Sequence, residues 1–203
     1  MPIPISELQS KHPDTVIELF QLELLENIHF ATGNPPNSED SSGIYYFHSG
    51  TSLNTNGKVK WANKDYLRYP VEASGFTFIG AGALPRPQFQ ISNALNLFTA
   101  LISTVNAFNI GNDLVGAKFT RIRTLLEFID EENFPNNINP FSTNGLGDST
   151  QELPREIFVL SKKLFETRQL VSYELISTLD LANVKLPKRI ATKKEFPGIG
   201  GYV

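Results

Sequence analysis

The sequence predicts a mainly β protein with one amphipathic helix near residues 93–108. Three observations predict it. Short runs rich in aromatic and β-branched residues, such as Ile44 to His48 and Gln88 to Ser92, have the length and alternation of strands. Clusters of Asn, Gly, Pro and Ser separate them and defeat both periodic structures. One stretch, from Leu95 to Phe108, keeps a sustained three-four spacing of apolar residues.

Taken in order, Thr15 to Leu25 (TVIELFQLELL) is dense enough in apolar residues for a strand, although its Leu and Glu content also permits a helix. A polar loop follows at 31–43. Ile44 to His48 is a short aromatic strand. Asn56-Gly57 marks a turn before Lys58 to Trp61, where Val59 and Trp61 alternate with lysines, and these two segments are expected to pair. Ser74 to Gly82 (SGFTFIGAG) and Gln88 to Ser92 read as a hairpin around Gly80, Gly82 and Pro85-Arg86-Pro87, with Phe89 and Ile91 inward. Ser92-Asn93 is the expected N-cap of a helix of roughly four turns, carrying Leu95, Phe98, Leu101, Ile102, Val105 and Phe108, and ending at Asn109 to Asn112. Lys118 to Asp130 fits helical spacing and strand composition alike. Residues 131–155, rich in Pro and Asn, read as a long and mobile surface excursion. Glu156 to Phe165 and Leu170 to Leu179 read as a strand pair. After Leu186 periodicity is lost, and Lys188, Arg189, Lys193 and Lys194 make a weak basic patch.

Composition excludes several functions. With 203 residues, 15 Phe and 6 Tyr the chain can build a core, and it is not a disordered polymer. A net charge of -3 and a pI near 5.7 argue against nucleic-acid binding, which needs a clustered positive surface. No membrane span is expected, because the apolar stretch from Leu95 to Phe108 is broken by Asn96, Thr99, Ser103, Thr104 and Asn106. The N-terminal MPIPISELQS does not read as a secretory signal. The absence of cysteine removes disulfides, thiolate nucleophiles and thiolate-bound metals.

No motif identifies catalysis. His12, His29 and His48 form no cluster of metal-ligand spacing, and no GxSxG elbow is present. Gly80-Ala81-Gly82 and Gly198-Ile199-Gly200-Gly201 lack the Lys-Ser or Lys-Thr of a phosphate loop and read as turn glycines. Asp130-Glu131-Glu132 could supply paired carboxylates, but adjacent acids at the end of an element are usually a solvated rim. Tyr45, Tyr46, Trp61, Tyr66 and Tyr69 could bind a sugar or a partner, and sheet packing explains them equally well. No catalytic, cofactor-binding or metal-ligating residue is assigned, and the protein is expected not to be an enzyme.

The central block is more telling than any motif within it. Tyr69 to Asn93 (YPVEASGFTFIGAGALPRPQFQISN), then Asp113 to Asp130 (DLVGAKFTRIRTLLEFID), resembles the minor tail protein L family of lambda-like tailed phages. Gly75, Phe76, Gly80, Gly82, Arg86, Pro87, Ser92, Asn93, Leu114, Val115, Gly116 and Asp130 match the family pattern in order. The opening strand, the late strand pair and the exit Leu186 to Ile190 (LPKRI) also fit, so the resemblance covers about residues 10–190.

The resemblance implies that residues 118–130 form a strand, and that residues 1–185 form a β-barrel-like tail-hub domain, as one unit or two subdomains, with 186–203 as a C-terminal extension. It further implies a non-enzymatic part of the tail tip, lying between the distal tail protein and the central fibre or attachment protein. A homotrimer around the tail axis is expected, with assembly in the host cytoplasm and a final place in the virion. The loops at 31–43 and 131–155 are the expected contact surfaces; order of these loops against themselves would instead favour ordinary surface loops. Lambda-type members continue into a cysteine-rich domain that binds an iron–sulfur cluster. This sequence ends at Val203 with no cysteine, and Phe196 lies near the place of the first ligand, so cluster binding is not carried over. The tail FPGIGGYV is expected to dock on a neighbouring tail protein instead. The competing reading is a β-rich carbohydrate-binding or hydrolytic virion protein that uses the aromatic cluster and Asp130 to Glu132.

Overall fold

The computed structural model describes residues 15–36, 42–50, 57–77, 84–93 and 96–178. Among the described residues nine strands form one sheet: β1 (Val16–Glu23), β2 (Ile44–His48), β3 (Lys58–Trp61), β4 (Lys64–Arg68), β5 (Val71–Ser74), β6 (Gln88–Ser92), β7 (Lys118–Leu125), β8 (Glu156–Glu166) and β9 (Leu170–Ser177). One α-helix, α1 (Leu97–Phe108), stands between β6 and β7. The strand order is β3-β4-β2-β1-β7-β8-β9-β6-β5, antiparallel throughout except where β4 runs parallel to β2.

The sheet closes on itself through one run of chain. β4 pairs with β2 and β5 with β6, and Tyr69-Pro70 joins them. At that joint the Tyr69 N–H donates to the His48 carbonyl at 3.0 Å, and the Ser92 N–H donates to the Pro70 carbonyl at 2.9 Å. Pro70 has no N–H to place, so the chain changes partner at a residue that leaves no orphaned donor. The result is a barrel in which Phe47 of β2 touches Phe89 of β6, their ring centroids 5.9 Å apart. In an open sheet of this strand order those two strands would lie far apart.

Alternation fills the interior. Phe20, Leu22, Phe47, Phe89, Ile91, Phe119, Phe158, Leu160, Val171, Tyr173 and Leu175 face inward and are buried. The Phe89 and Phe119 ring centroids lie 4.7 Å apart, the closest ring pair among the described residues. α1 crosses the end of the barrel that β6 leaves and β7 enters, and inserts Phe98, Ile102 and Val105 into the same core. The other end carries charge on the inner face: Arg121 bonds Glu18 and, at 3.0 Å, Glu156, which also accepts from Arg123 at 2.8 Å. The Arg121 guanidinium lies 4.5 Å from the centre of the Phe76 ring.

A second core lies outside the barrel. Ile17 and Leu19 of β1, Tyr46 of β2 and Ile122 of β7 point outward and meet Val59, Trp61 and Tyr66 of the β3–β4 hairpin. Phe128, Ile129 and Phe134, which follow β7, complete it. The apolar density of Thr15 to Leu25 therefore reflects a strand covered on both faces.

The strands at 15–25, 44–48, 88–92, 156–165 and 170–179 are found within a few residues of expectation, and of residues 118–130, expected as one strand, Lys118–Leu125 are strand and Leu126–Phe128 a 3-10 turn. Four expectations are corrected. The segments at 44–48 and 58–61 do not pair with each other: β3 folds back on β4, which the sequence reading missed, and β4 supplies the neighbour of β2. The hairpin partner of β6 is Val71–Ser74 rather than the stretch beginning at Ser74; Gly75 to Thr77 are not strand, and 78–83 lie outside the described residues. α1 starts after Asn96, in left-handed geometry at φ 55°, and spans 12 residues, a little over three turns. Asn93 still serves the helix start from a distance, its Oδ1 accepting from the Thr99 N–H at 3.2 Å. Finally, residues 131–155 include two short 3-10 turns and are bonded throughout. The boundary expected at 185 lies outside the described residues.

Two predictions follow from the packing. Phe89 is fully buried against Phe47, Phe119 and Tyr173, so Phe89→Ala should cost about 3–5 kcal/mol, read as a lower urea midpoint at unchanged slope. The second concerns pH. His29 is buried, with Nδ1 accepting from the Leu25 N–H at 2.9 Å and Nε2 placed 3.0 Å from the Val115 carbonyl. His48 is equally buried, with Nε2 3.3 Å from the Gly57 carbonyl. Burial holds both imidazoles below their ordinary value of 6.5. The unfolded chain therefore takes up protons first as the solution is acidified, and the stability these groups contribute is present above 6.5 and lost as pH falls below it. Urea midpoints should be lower at about pH 5.5 than at about pH 7.5, and replacing both histidines with Gln should remove most of that difference.

Candidate functional site

The outer face of α1 carries no charge. No charged residue occurs from Asn93 to Asn112, and the helix lacks acidic residues in its first turn and basic residues in its last. While Phe98, Ile102 and Val105 fill the barrel, Leu97, Leu101, Thr104 and Phe108 form a stripe that flanks this buried face, about 100° round the helix, with Leu101 partly buried against the same core. Leu97 and Phe108 are each about half exposed. The stripe borders a pocket of about 240 Å³ lined by Pro36, Ile44, Tyr45, Leu67 and Tyr69 together with Leu97 and Leu101. The Tyr45 hydroxyl donates to the Pro36 carbonyl, and burial pushes that phenol well above its ordinary range. The pocket carries no charged side chain, so it suits an apolar contact and offers nothing for acid-base chemistry.

A second apolar surface lies on the excursion after β7. Ile138, Phe141 and Leu146 are each more than half exposed. They are held out by a rigid frame. The Asn139 side-chain amide donates to the carbonyls of Leu126, Glu127 and Ile129, and the Asn139 N–H donates to the Gly145 carbonyl at 2.8 Å. Gly147 lies so close to this frame that an added Cβ would sit 2.6 Å from the Asp130 Cα. The expected contact loop at 131–155 is thus ordered against itself, which favours an ordinary surface loop for most of its length; its apolar tip is the exception. Of the loop expected at 31–43, residues 37–41 lie outside the described residues.

The carboxylates of Asp130 to Glu132 face a polar cleft with Ala62, Asn63 and Ser149, and each is engaged. Asp130 accepts from the Asn63 N–H at 3.3 Å, Glu131 from the Gly147 N–H at 3.0 Å, and Glu132 pairs with Lys60. Partial burial raises the Asp130 carboxyl above its ordinary range, while the backbone bond lowers that of Glu131. These are the bonds of a loop clamp. Of the aromatic cluster, Trp61 and Tyr66 are fully buried in the outer core and cannot stack on a sugar. Burial pushes the Tyr66 phenol up to about 12, where its hydroxyl accepts from Gln21 at 2.7 Å. Tyr45, Tyr46 and Tyr69 remain half-buried.

Among the described residues no group of three or more His, Asp or Glu could hold a metal ion. The chain has no cysteine, so thiolate ligands for an iron–sulfur cluster are not available in it. No helix of the structure is long and apolar enough to cross a membrane, among the described residues. The surface that sequence reasoning missed is the outer face of α1 with its pocket. Its signal is the uncharged run from Asn93 to Asn112, in which three-four spacing puts Leu101 and Phe108 in one stripe with the buried Phe98, Ile102 and Val105.

Comparison with known proteins gives two findings. The family model described as phage minor tail protein L matches residues 38–198, a span that takes in every described element except β1. The tail tip protein L of Escherichia phage lambda is 28% identical over 111 residues, covering 55% of this chain and 43% of its own length. The alignment therefore spans less than half of that relative. Because the family model covers well over half of this chain, the helix and every barrel strand but β1, the chain belongs to the phage minor tail protein L family.

Proposed function

We propose that this protein is a non-enzymatic structural component of the tail tip of a tailed phage, linking the distal tail protein to the central fibre or attachment protein during tail assembly. The observation that carries the reading is the family match across residues 38–198. In this reading the subunit forms a homotrimer around the tail axis, assembles in the host cytoplasm and ends in the virion. Residues 1–185 act as the hub unit, and 186–203 as an extension toward a neighbouring tail protein. The protein works without a cofactor.

The physical requirements of such a part agree with the fold. A tail component has to keep its shape while large interfaces form around it, and those interfaces need rigid apolar anchors inside polar rims. The uncharged face of α1 and the tip at Ile138, Phe141 and Leu146 are anchors of that kind. Burial of Trp61 and Tyr66, and engagement of Asp130 to Glu132 in loop bonds, weigh against the carbohydrate-binding or hydrolytic alternative.

Electron-microscopic reconstruction of assembled tails tests the placement. Density fitting the barrel should surround the tail axis between the distal ring and the central fibre. Its absence from tails, or its presence on peripheral fibres alone, would sink the reading. A glycan array probed with the parent chain and with Asp130→Asn should show no binding that the substitution abolishes.

A further inference from the structure

The outermost strand of the sheet has a free side, and a side chain occupies it. β3 pairs with β4 along one edge only, and no other strand lies beside it among the described residues. On its far edge the Lys60 N–H donates to Asn133 Oδ1 at 2.6 Å, and Asn133 Nδ2 donates back to the Lys60 carbonyl at 2.7 Å. Two neighbouring strands exchange the same pair of bonds at each hydrogen-bonded position of an antiparallel ladder. The carboxamide of Asn133 thus stands where a peptide group of a tenth strand would stand.

The surroundings hold it there. Asn133 is 1% exposed, and Nδ2 also donates to the Asp130 carbonyl at 2.8 Å, which fixes the amide plane. On either side of it, Asp130 accepts from the Asn63 N–H and Glu132 pairs with the Lys60 ammonium. An unpaired edge is a template for strand addition, and proteins commonly block it with lysines or a covering loop. Here both devices coincide. Segment 130–133 covers the edge, and Lys58 and Lys60, paired with Asp65 and Glu132 in the folded chain, would face like charges once pairing of two β3 copies displaced that segment and its Glu132.

We propose that Asn133 is an edge guard: it closes the β3 edge against pairing with β3 of a second copy. Asn133→Leu in the full chain tests this. The Lys60 amide should exchange with solvent about tenfold faster or more, once its acceptor is gone. Size-exclusion and sedimentation profiles should gain a species larger than any the parent chain forms. That species should grow with protein concentration, and with salt as the lysine repulsion is screened. Adding Lys60→Pro, which removes the edge donor and is compatible with an edge strand, should abolish the new species. Unchanged exchange at Lys60 would overturn the proposal, as would a folded variant with an exposed Lys60 amide and no new species at either salt, or a new species that survives Lys60→Pro. Should Asn133→Leu fail to fold, Asn133→Ala, which removes both the acceptor and the donor with a smaller side chain, is judged by the same readings.

Discussion

Closure of the sheet is the constraint on which the rest of the molecule depends. Once β4 and β5 tie β2 to β6, the enclosed volume has a fixed circumference and has to be filled from within. Phe20, Phe47, Phe89 and Phe119 fill its middle. Neither end can be left open, because an apolar lumen exposed to water forfeits the burial that stabilises the walls. The two ends are closed by different means. A helix with an apolar inner face covers one, and an ion-paired Arg–Glu group leaning on Phe76 covers the other. The charged end is the less costly place for Arg121 and Glu18, where water still reaches part of their surface.

The outer core follows from the same constraint. Strands long enough to wrap the barrel present an outward face as well, and β1 and β7 carry apolar residues there. The β3–β4 hairpin and the segment after β7 cover Leu19 and Ile122, which is why that segment is built as a bonded frame. Its asparagines are structural: Asn139 collects three carbonyls and Asn133 completes a strand edge.

Much of this was legible in the residues, and the failures have physical causes. Phe89, Ile91, Phe98, Ile102 and Val105 were placed inward by period alone, because alternation in a strand and three-four spacing in a helix report the buried face directly. β4 and β5 were missed because Pro70 reads as a boundary, while in the fold it is the joint where one strand changes partners. The pairing of β2 depended on β4, a long-range choice that no local pattern encodes. Residues 131–155 read as mobile because Asn and Pro break periodic structure. Side-chain amides then supply the bonds that periodic structure would have supplied. The apolar surface on α1 is hidden in the sequence because three-four spacing assigns Leu101 and Phe108 to the same stripe as the residues that face the barrel.

The Tyr69-Pro70 joint also gives the barrel a preferred line of failure. Where β2 meets β4 the register holds two residue pairs, against eight between β1 and β7. Such a cylinder does not resist load evenly around its wall. The shortest seam is the one between β2 and β4, which the Tyr69 N–H bond to His48 extends, and releasing it would open the cylinder while the longer seams stay paired. A minor tail protein with this wall has one seam shorter than the others around its circumference.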